Sequence, residues 1–377
     1  MDIETLHLPC IMDADRFNDL DYFTRHTAFI ICHKSEPIET LLTNLRYIPA
    51  DSPRIIVTNC APRVFPQLSY ELSGQLTGRG ATYLVHQKDE RVARFFQESG
   101  VPCILDASGA VVDGKGEGMY IGAILAALLD MVEWIVYFDA DNHAPSALLE
   151  YILAMGQLFT SSTSVNTGTY PFHLGFRGYL EGAPLHSVRI SWASKPHYDG
   201  VTFVPQPQVL GRCTQVIAPL CDDLLRAWEP NTAQRLLTPN AGEQGMTMAT
   251  AMALRFSSGF SVETFQLLEL AFASTRRPGV RPQTLLQQYI SSSPHLHEKK
   301  DDAHIRSMIA ESLGSFLAFR RHLPPHVVAR IAELARELDA HLSRPTTYPA
   351  IRHLPLARYG DFPAQFRLDA GVEDVSA

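Results

Sequence analysis

The residues whose types and spacing best suit chemistry lie in Trp134-Ile-Val-Tyr-Phe-Asp139-Ala-Asp141-Asn142-His143-Ala-Pro145. An apolar, β-rich run ends there in two acids one residue apart. In a strand, residues i and i+2 point to one side, so Asp139 and Asp141 can face a single pocket at the strand's end. Paired carboxylates with no cation beside them in sequence suit a divalent metal and the phosphates it carries. A strand-to-helix turn that uses Asp as a cap and Asn for left-handed geometry explains the same residues. The motif alone leaves both readings open.

Other segments carry chemistry of the same kind. Gly114-Lys115-Gly116-Glu117-Gly118-Met119 lacks the spacing of a Walker A loop, yet glycines let backbone N–H groups approach an anion and Lys115 adds a charge. A flexible loop with a solvated lysine is the plainer reading. His295 and His297 flank one residue, so an extended segment presents both to one side; imidazole with carboxylate suits Mn, Co or Zn as well as Mg. Packing explains such a pair equally well. Gly211-Arg212-Cys213-Thr214 joins a guanidinium, a hydroxyl and a glycine backbone, suited to phosphate or carboxylate, or is an arginine at a turn. Asn240-Ala241-Gly242-Glu243 offers backbone donors and one acid, or a helix N-terminus with Glu in its first turn. Arg189, Trp192 and Lys195 suit a sugar or anion pocket, or a surface strand.

These residues need a frame. Thr27–Cys32, Arg54–Asn59 and Thr82–His86 are short β-branched, apolar runs, with helical patterns over 38–45 and 90–99, and a helix over about 119–131 leads into the acid-pair strand. Strand and helix alternating at this spacing predict an α/β fold with a doubly wound, mostly parallel sheet. Ligands of such sheets sit outside the carboxyl ends of the strands, and those ends carry Lys34/Glu36, Asn59, Gln87/Lys88 and Asp139/Asp141. Residues 1–26 read as an arm or loop, 246–256 as a Met/Ala-rich helix, Phe260–Glu263 as β-like, and Cys213–Ala218 as strand or strand-helix. Residues 276–281 read as an arginine-rich loop, 301–320 and 325–343 as helices, and the tail past Arg344 as proline-rich wrapping or disorder.

Composition narrows the classes. The 377 residues are 46% hydrophobic and 19% charged, enough for one large α/β domain or two smaller ones. A net charge of -8 and the lack of any basic block argue against nucleic acid as a partner. The cysteines are scattered without a CxxC pair, which reads as free thiols in a reducing cytosol. No membrane span or signal peptide is expected, and the predicted location is cytoplasmic.

Taken together, His86-Gln-Lys-Asp89, Gly114–Met119, Phe138-Asp-Ala-Asp-Asn142, Ser194-Lys-Pro196, Asn240–Glu243 and Pro294-His-Leu-His-Glu298 resemble the mannosyl-3-phosphoglycerate synthase family, over about residues 27–320. Glucosyl-3-phosphoglycerate synthases share the plan. The resemblance implies a GT-A type, Rossmann-like mixed sheet flanked by helices with a C-terminal helical extension. It implies an N-terminal arm (1–26), a nucleotide-sugar half (27–165), an acceptor half (166–323) and a C-terminal helix and tail (324–377). The implied reaction moves mannose from GDP-mannose to 3-phosphoglycerate with retention, using a divalent metal (Mg, Mn or Co), in a protein that is a homodimer by analogy. Asp139 and Asp141 match the family's DxD, at the ribose and the metal. One histidine of His295 and His297 completes the metal shell, with His297 favoured. Glu36, Asn59 and Lys115 match nucleotide contacts, and Gln87 and Lys88 are placed to read the base. Gly211, Arg212, Cys213 and Thr214, with Asn240, Ala241 and Gly242, match acceptor contacts. Glu243 falls near the sugar or acceptor hydroxyl and is the one candidate nucleophile. A front-face displacement needs no such carboxylate.

Overall fold

The computed structural model describes residues 2–6, 14–76, 80–166, 184–192, 197–198, 203–204, 211–228, 230–231, 233–273, 284–298 and 300–368. Its first part alternates: β1 (Asp2–Leu6), α1 (Ala14–Arg25), β2 (Thr27–His33), α2 (Ile38–Arg46), β3 (Arg54–Thr58), α3 (Phe65–Gln75), β4 (Thr82–His86), α4 (Glu90–Glu98), α5 (Lys115–Leu128), β5 (Trp134–Asp139) and α6 (Ser146–Asn166). There follow β6 (Leu185–Ser191), β7 (His197–Tyr198), β8 (Phe203–Val204), α7 (Arg212–Trp228), β9 (Gln244–Thr247), α8 (Met248–Ala253), β10 (Phe256–Ser257) and α9 (Ser261–Phe272). The last elements are β11 (Thr284–Ile290), β12 (His297–Glu298), α10 (Asp302–Ala318), α11 (Pro325–Glu337) and β13 (Thr347–Tyr348).

Eight strands form one sheet in the order β1-β11-β6-β9-β5-β2-β3-β4. All neighbours are parallel except β9, which runs antiparallel to both β5 and β6. The apolar strand runs are those of a sheet covered on both faces. Ile30, Ile55, Val85 and Ile135 pack on one side with α5, while Phe29, Ile31, Ile56 and Val136 pack on the other with α2, α3 and α6. Most of these side chains are fully buried, each contributing about 1.5–3 kcal/mol relative to exposure. From β2 the chain steps outward to β3 and β4, then returns to β5 on the other flank of β2. That reversal opens a crevice between the carboxyl ends of β2 and β5, where this sheet type takes its ligands.

Several expectations from sequence are corrected. Within 1–26, β1 extends the sheet edge parallel to β11, and α1 packs on α6. The glycines of 114–118 are not a free loop, because α5 already begins at Lys115. A Cβ on Gly116 would fall 1.9 Å from the Ser257 carbonyl oxygen, and one on Gly122 would fall 2.4 Å from Ile30, so these glycines let α5 lie close on its neighbours. Part of the helix expected over 246–256 is instead the strand β9, with α8 covering only Met248–Ala253. Phe260–Glu263 is not β-like but opens α9, all twelve residues of which are buried. Four residues of β-prone type suggest a strand; burial on every side of a longer run selects a helix. Cys213–Ala218 is wholly helical within α7. Residues 345–368 pack on the domain: β13 pairs with β10, and Tyr348 is buried against Tyr120 with its hydroxyl donating to Glu117. Ser194-Lys-Pro196 and residues 276–281 lie outside the described residues. Among the described residues no helix is long and apolar enough to cross a membrane.

Candidate active site

At the crevice lies a cavity of about 870 Å³. The ends of β2 and β5 bring Glu36, Asp139 and Asp141 to its wall, and β3 brings Asn59. The N-terminal ends of α5, α7 and α10 meet there as well, through Gly114 and Lys115, Gly211 and Arg212, and Lys300 and Asp302. Phe260, just ahead of α9, adds a fourth. Helix starts carry a partial positive charge that favours an anionic ligand, although Asp301 already accepts from the His304 N–H at α10, Glu311 from the Phe260 N–H and the Gly259 carbonyl from the Gly116 N–H at α5.

The two acids of β5 are held differently. Asp139 Oδ1 accepts from Lys115 Nζ at 2.5 Å, and the same ammonium donates to Glu263 Oε1 at 2.6 Å. Burial works to lower the Lys115 pKa, but the Asp139 and Glu263 carboxylates outweigh it and hold it well above the usual lysine value. Behind Asp139 the chain passes so close that a Cβ on Gly242 would sit 2.1 Å from Oδ2. Asp141 Oδ2 meets Lys300 Nζ at 3.0 Å. Burial raises the Asp141 pKa, yet the Lys300 ammonium, then His295 and His297, hold it below the usual carboxylate range.

The histidine pair stands on the same wall. His295 stacks on Trp192 with centroids 4.3 Å apart, and its Nδ1 lies 3.5 Å from Glu243 Oε1. The His297 ring is 5.5 Å away, with Nδ1 against the Glu298 carbonyl. The His297 contact is of the kind that orients metal-binding imidazoles, whereas the His295–Glu243 approach at 3.5 Å is a charge contact and not a hydrogen bond. Among the described residues, no three His, Cys, Asp or Glu side chains converge on one point as they stand. The expected trio of Asp141, His295 and His297 is therefore not closed, and Lys300 is the cation on Asp141. The donor types nonetheless suit a divalent ion. Four Lys or Arg and seven Asp or Glu line the cavity, so with neutral histidines its wall carries three net negative charges. An added cation would lower the cost of placing a polyanion against a wall of that sign.

Of the remaining sites expected from sequence, Gln87, Cys213, Thr214, Asn240 and Gly242 line the cavity. Gln87 donates to the Val112 carbonyl, and the Glu36 carboxylate folds back to accept from the N–H groups of Lys34 and Ser35. Arg212 bonds Asp302 at 2.7 Å and the Lys300 carbonyl, tying α7 to α10. Asn240 donates to Thr264 and Ser312. Three do not reach the wall. Lys88 is drawn to Asp113 at 2.8 Å, Ala241 is buried, and Glu243 is 1% exposed behind His295. Arg189, read as a pocket or surface residue, is fully buried and donates to the carbonyls of Thr238, Pro239 and Glu263. Lys195 lies outside the described residues. Sequence reasoning missed Lys300 and Glu263. The basic pair before the Asp301 helix cap could have flagged the first; the second hides in an apolar run.

Comparison with known proteins follows this geometry. A family model described as mannosyl-3-phosphoglycerate synthase matches residues 11–361. The mannosyl-3-phosphoglycerate synthase of Aeropyrum pernix is 28% identical over 299 residues, 77% of this chain and 71% of that protein. In solved structures, glucosyl-3-phosphoglycerate synthase of Mycobacterium tuberculosis in complex with Mn2+ and UDP-glucose aligns with a TM-score of 0.50 at 16% identity, covering 85% of this chain and 87% of that one. The same enzyme in complex with Mn2+, UDP-glucose and glycerol 3-phosphate also gives 0.50. These establish the GT-A type fold. The Pyrococcus furiosus mannosyl-3-phosphoglycerate synthase is 30% identical over 305 residues, which span 76% of this chain and 70% of that protein. Matched so far along its length, the chain belongs to the mannosyl-3-phosphoglycerate synthase family.

Proposed function

We propose that this glycosyltransferase moves mannose from GDP-mannose to the hydroxyl of 3-phosphoglycerate with retained anomeric configuration. The observation that carries the reading is the acid pair at the end of β5, each carboxylate already facing an ammonium, in a cavity ringed by helix N-termini. Asp139, fixed by Lys115, faces the ribose side of the nucleotide. Asp141 with His297, or with His295, holds a divalent metal (Mg, Mn or Co). When bound, that ion supplies neutralising charge to the diphosphate. Lys115 and the α5 N-terminus face the phosphates, and Glu36, Asn59 and Gln87 the nucleoside end.

The start of α7 and the 240–242 turn form the acceptor side. Arg212 and the Gly211–Thr214 backbone take the acceptor's phosphate and carboxylate. Asn240 Oδ1, buried and without a hydrogen-bond partner among the described residues, suits an acceptor hydroxyl. The bond from the anomeric carbon to the diphosphate oxygen breaks as the acceptor oxygen bonds to the same face. The acceptor's proton passes to the leaving phosphate oxygen. Retaining enzymes with a carboxylate nucleophile hold two carboxyl groups about 5 Å apart across the bond. Glu243, set behind His295, is not presented that way.

The acceptor assignment is tested with Arg212→Ala. The variant is expected to raise KM for 3-phosphoglycerate at least about tenfold with little change in KM for GDP-mannose. In the wild type, glycerate should be a far poorer acceptor. Equal use of glycerate and 3-phosphoglycerate would refute the phosphate role.

A further inference from the structure

The two ammonium groups on the acid pair are not equivalent. Lys115 is clamped between two carboxylates, at 2.5 Å from Asp139 and 2.6 Å from Glu263, and its side chain is 14% exposed. Among the described residues Lys300 is in ion-pair contact with one carboxylate, at the longer distance of 3.0 Å, and its side chain is 36% exposed. It stands on the short segment between β12 and the Asp301 cap of α10, and among the described residues no second acid is in ion-pair contact with it as Glu263 is with Lys115. Asp139 is therefore committed to its partner, and Asp141 is not.

A carboxylate cannot hold an ammonium at 3 Å and a divalent ion on the same side, because like charges that close repel strongly. Resting on the reading that Asp141 holds the metal, we propose that Lys300 is a tethered cation which Asp141 exchanges for the metal, and that this exchange couples metal binding to nucleotide binding. Without nucleotide, the incoming ion must break the Lys300–Asp141 pair. With a nucleoside diphosphate in the cavity, the released ammonium gains an anionic partner, so the exchange becomes more favourable. The coupling is reciprocal: whatever the nucleotide adds to metal affinity, the metal adds to nucleotide affinity.

The test is a Mn2+ titration of the full chain with and without GDP, reading free Mn2+ by electron paramagnetic resonance. Lys300→Met should bind Mn2+ about tenfold more tightly than wild type when no nucleotide is present. The ratio of affinities with and without GDP should shrink by a similar factor. Lys300→Gln, run in parallel, should behave alike and serves if the first variant does not fold, while Lys300→Arg should keep the wild-type pattern. Unchanged or weaker Mn2+ binding in the folded neutral variants overturns the exchange. Asp141→Asn separates the two ideas. If it loses Mn2+ binding while the Lys300 variants are unaltered, only the exchange falls. If it binds Mn2+ as the wild type does, the metal assignment itself falls.

Discussion

Asp141→Asn is expected to lower kcat by about a thousandfold or more, with the melting temperature moving only a few degrees. The side chain keeps its size and loses its charge, so the packing around β5 is preserved. What disappears is the carboxylate that meets Lys300 at 3.0 Å and, in the proposed function, the metal. Lys300 is partly exposed and can hydrate once its partner is gone, so the fold loses little. Circular dichroism melts beside a coupled assay for GDP release check both halves. Near-normal turnover in the folded variant would remove Asp141 from the chemistry.

The second large effect is expected from a single methyl group. Gly242→Ala would place a Cβ 2.1 Å from Asp139 Oδ2 and 2.6 Å from its Cγ. Asp139 cannot simply swing aside, because Lys115 holds its other oxygen at 2.5 Å and is itself anchored to Glu263. The variant should displace the acid and lower kcat/KM about a hundredfold, the scale of loss from a misplacement of about 1 Å. Gly116→Ala offers the contrast. Its Cβ would meet a backbone oxygen, that of Ser257 at 1.9 Å, which cannot rotate away. It should chiefly lower the melting temperature. Unaltered activity in Gly242→Ala would show that the 240–242 turn yields freely and does not fix Asp139.

The parts of the fold legible in sequence are those where local pattern and burial agree. The β-branched runs at 27–32, 54–59, 82–86 and 134–139 have no competing period, and each is a central or parallel strand. Because the pattern also fixes where each strand stops, it points to the strand ends, and Glu36, Asn59, Gln87, Asp139 and Asp141 all line the cavity. Lys88 shows the limit of that inference. One residue beyond Gln87, its long side chain pairs with Asp113, and it is the acid, not the lysine, that lines the cavity.

What escaped the sequence depends on contacts between distant segments. Glu263 is read only as one acid in an apolar stretch until α9 is laid beside α5, where its carboxylate completes the seat of Lys115, 148 residues away in sequence. Lys300 becomes significant only because α10 starts at the cavity wall. The glycines of 114–118 invite a phosphate-loop reading, whereas their spacing serves close packing of α5, and the anion-facing part is the helix start itself. Arg189 alternates within a strand as a surface residue would, yet three carbonyls satisfy its guanidinium inside the protein.

The most direct test follows the products by 1H and 31P nuclear magnetic resonance in a mixture of the full chain, GDP-mannose, 3-phosphoglycerate and Mg2+. The account predicts one new α-mannosidic anomeric signal on phosphoglycerate, GDP released in equal amount, and neither in EDTA. A β-linked product, free mannose with no glycoside, or undiminished turnover in EDTA would contradict it.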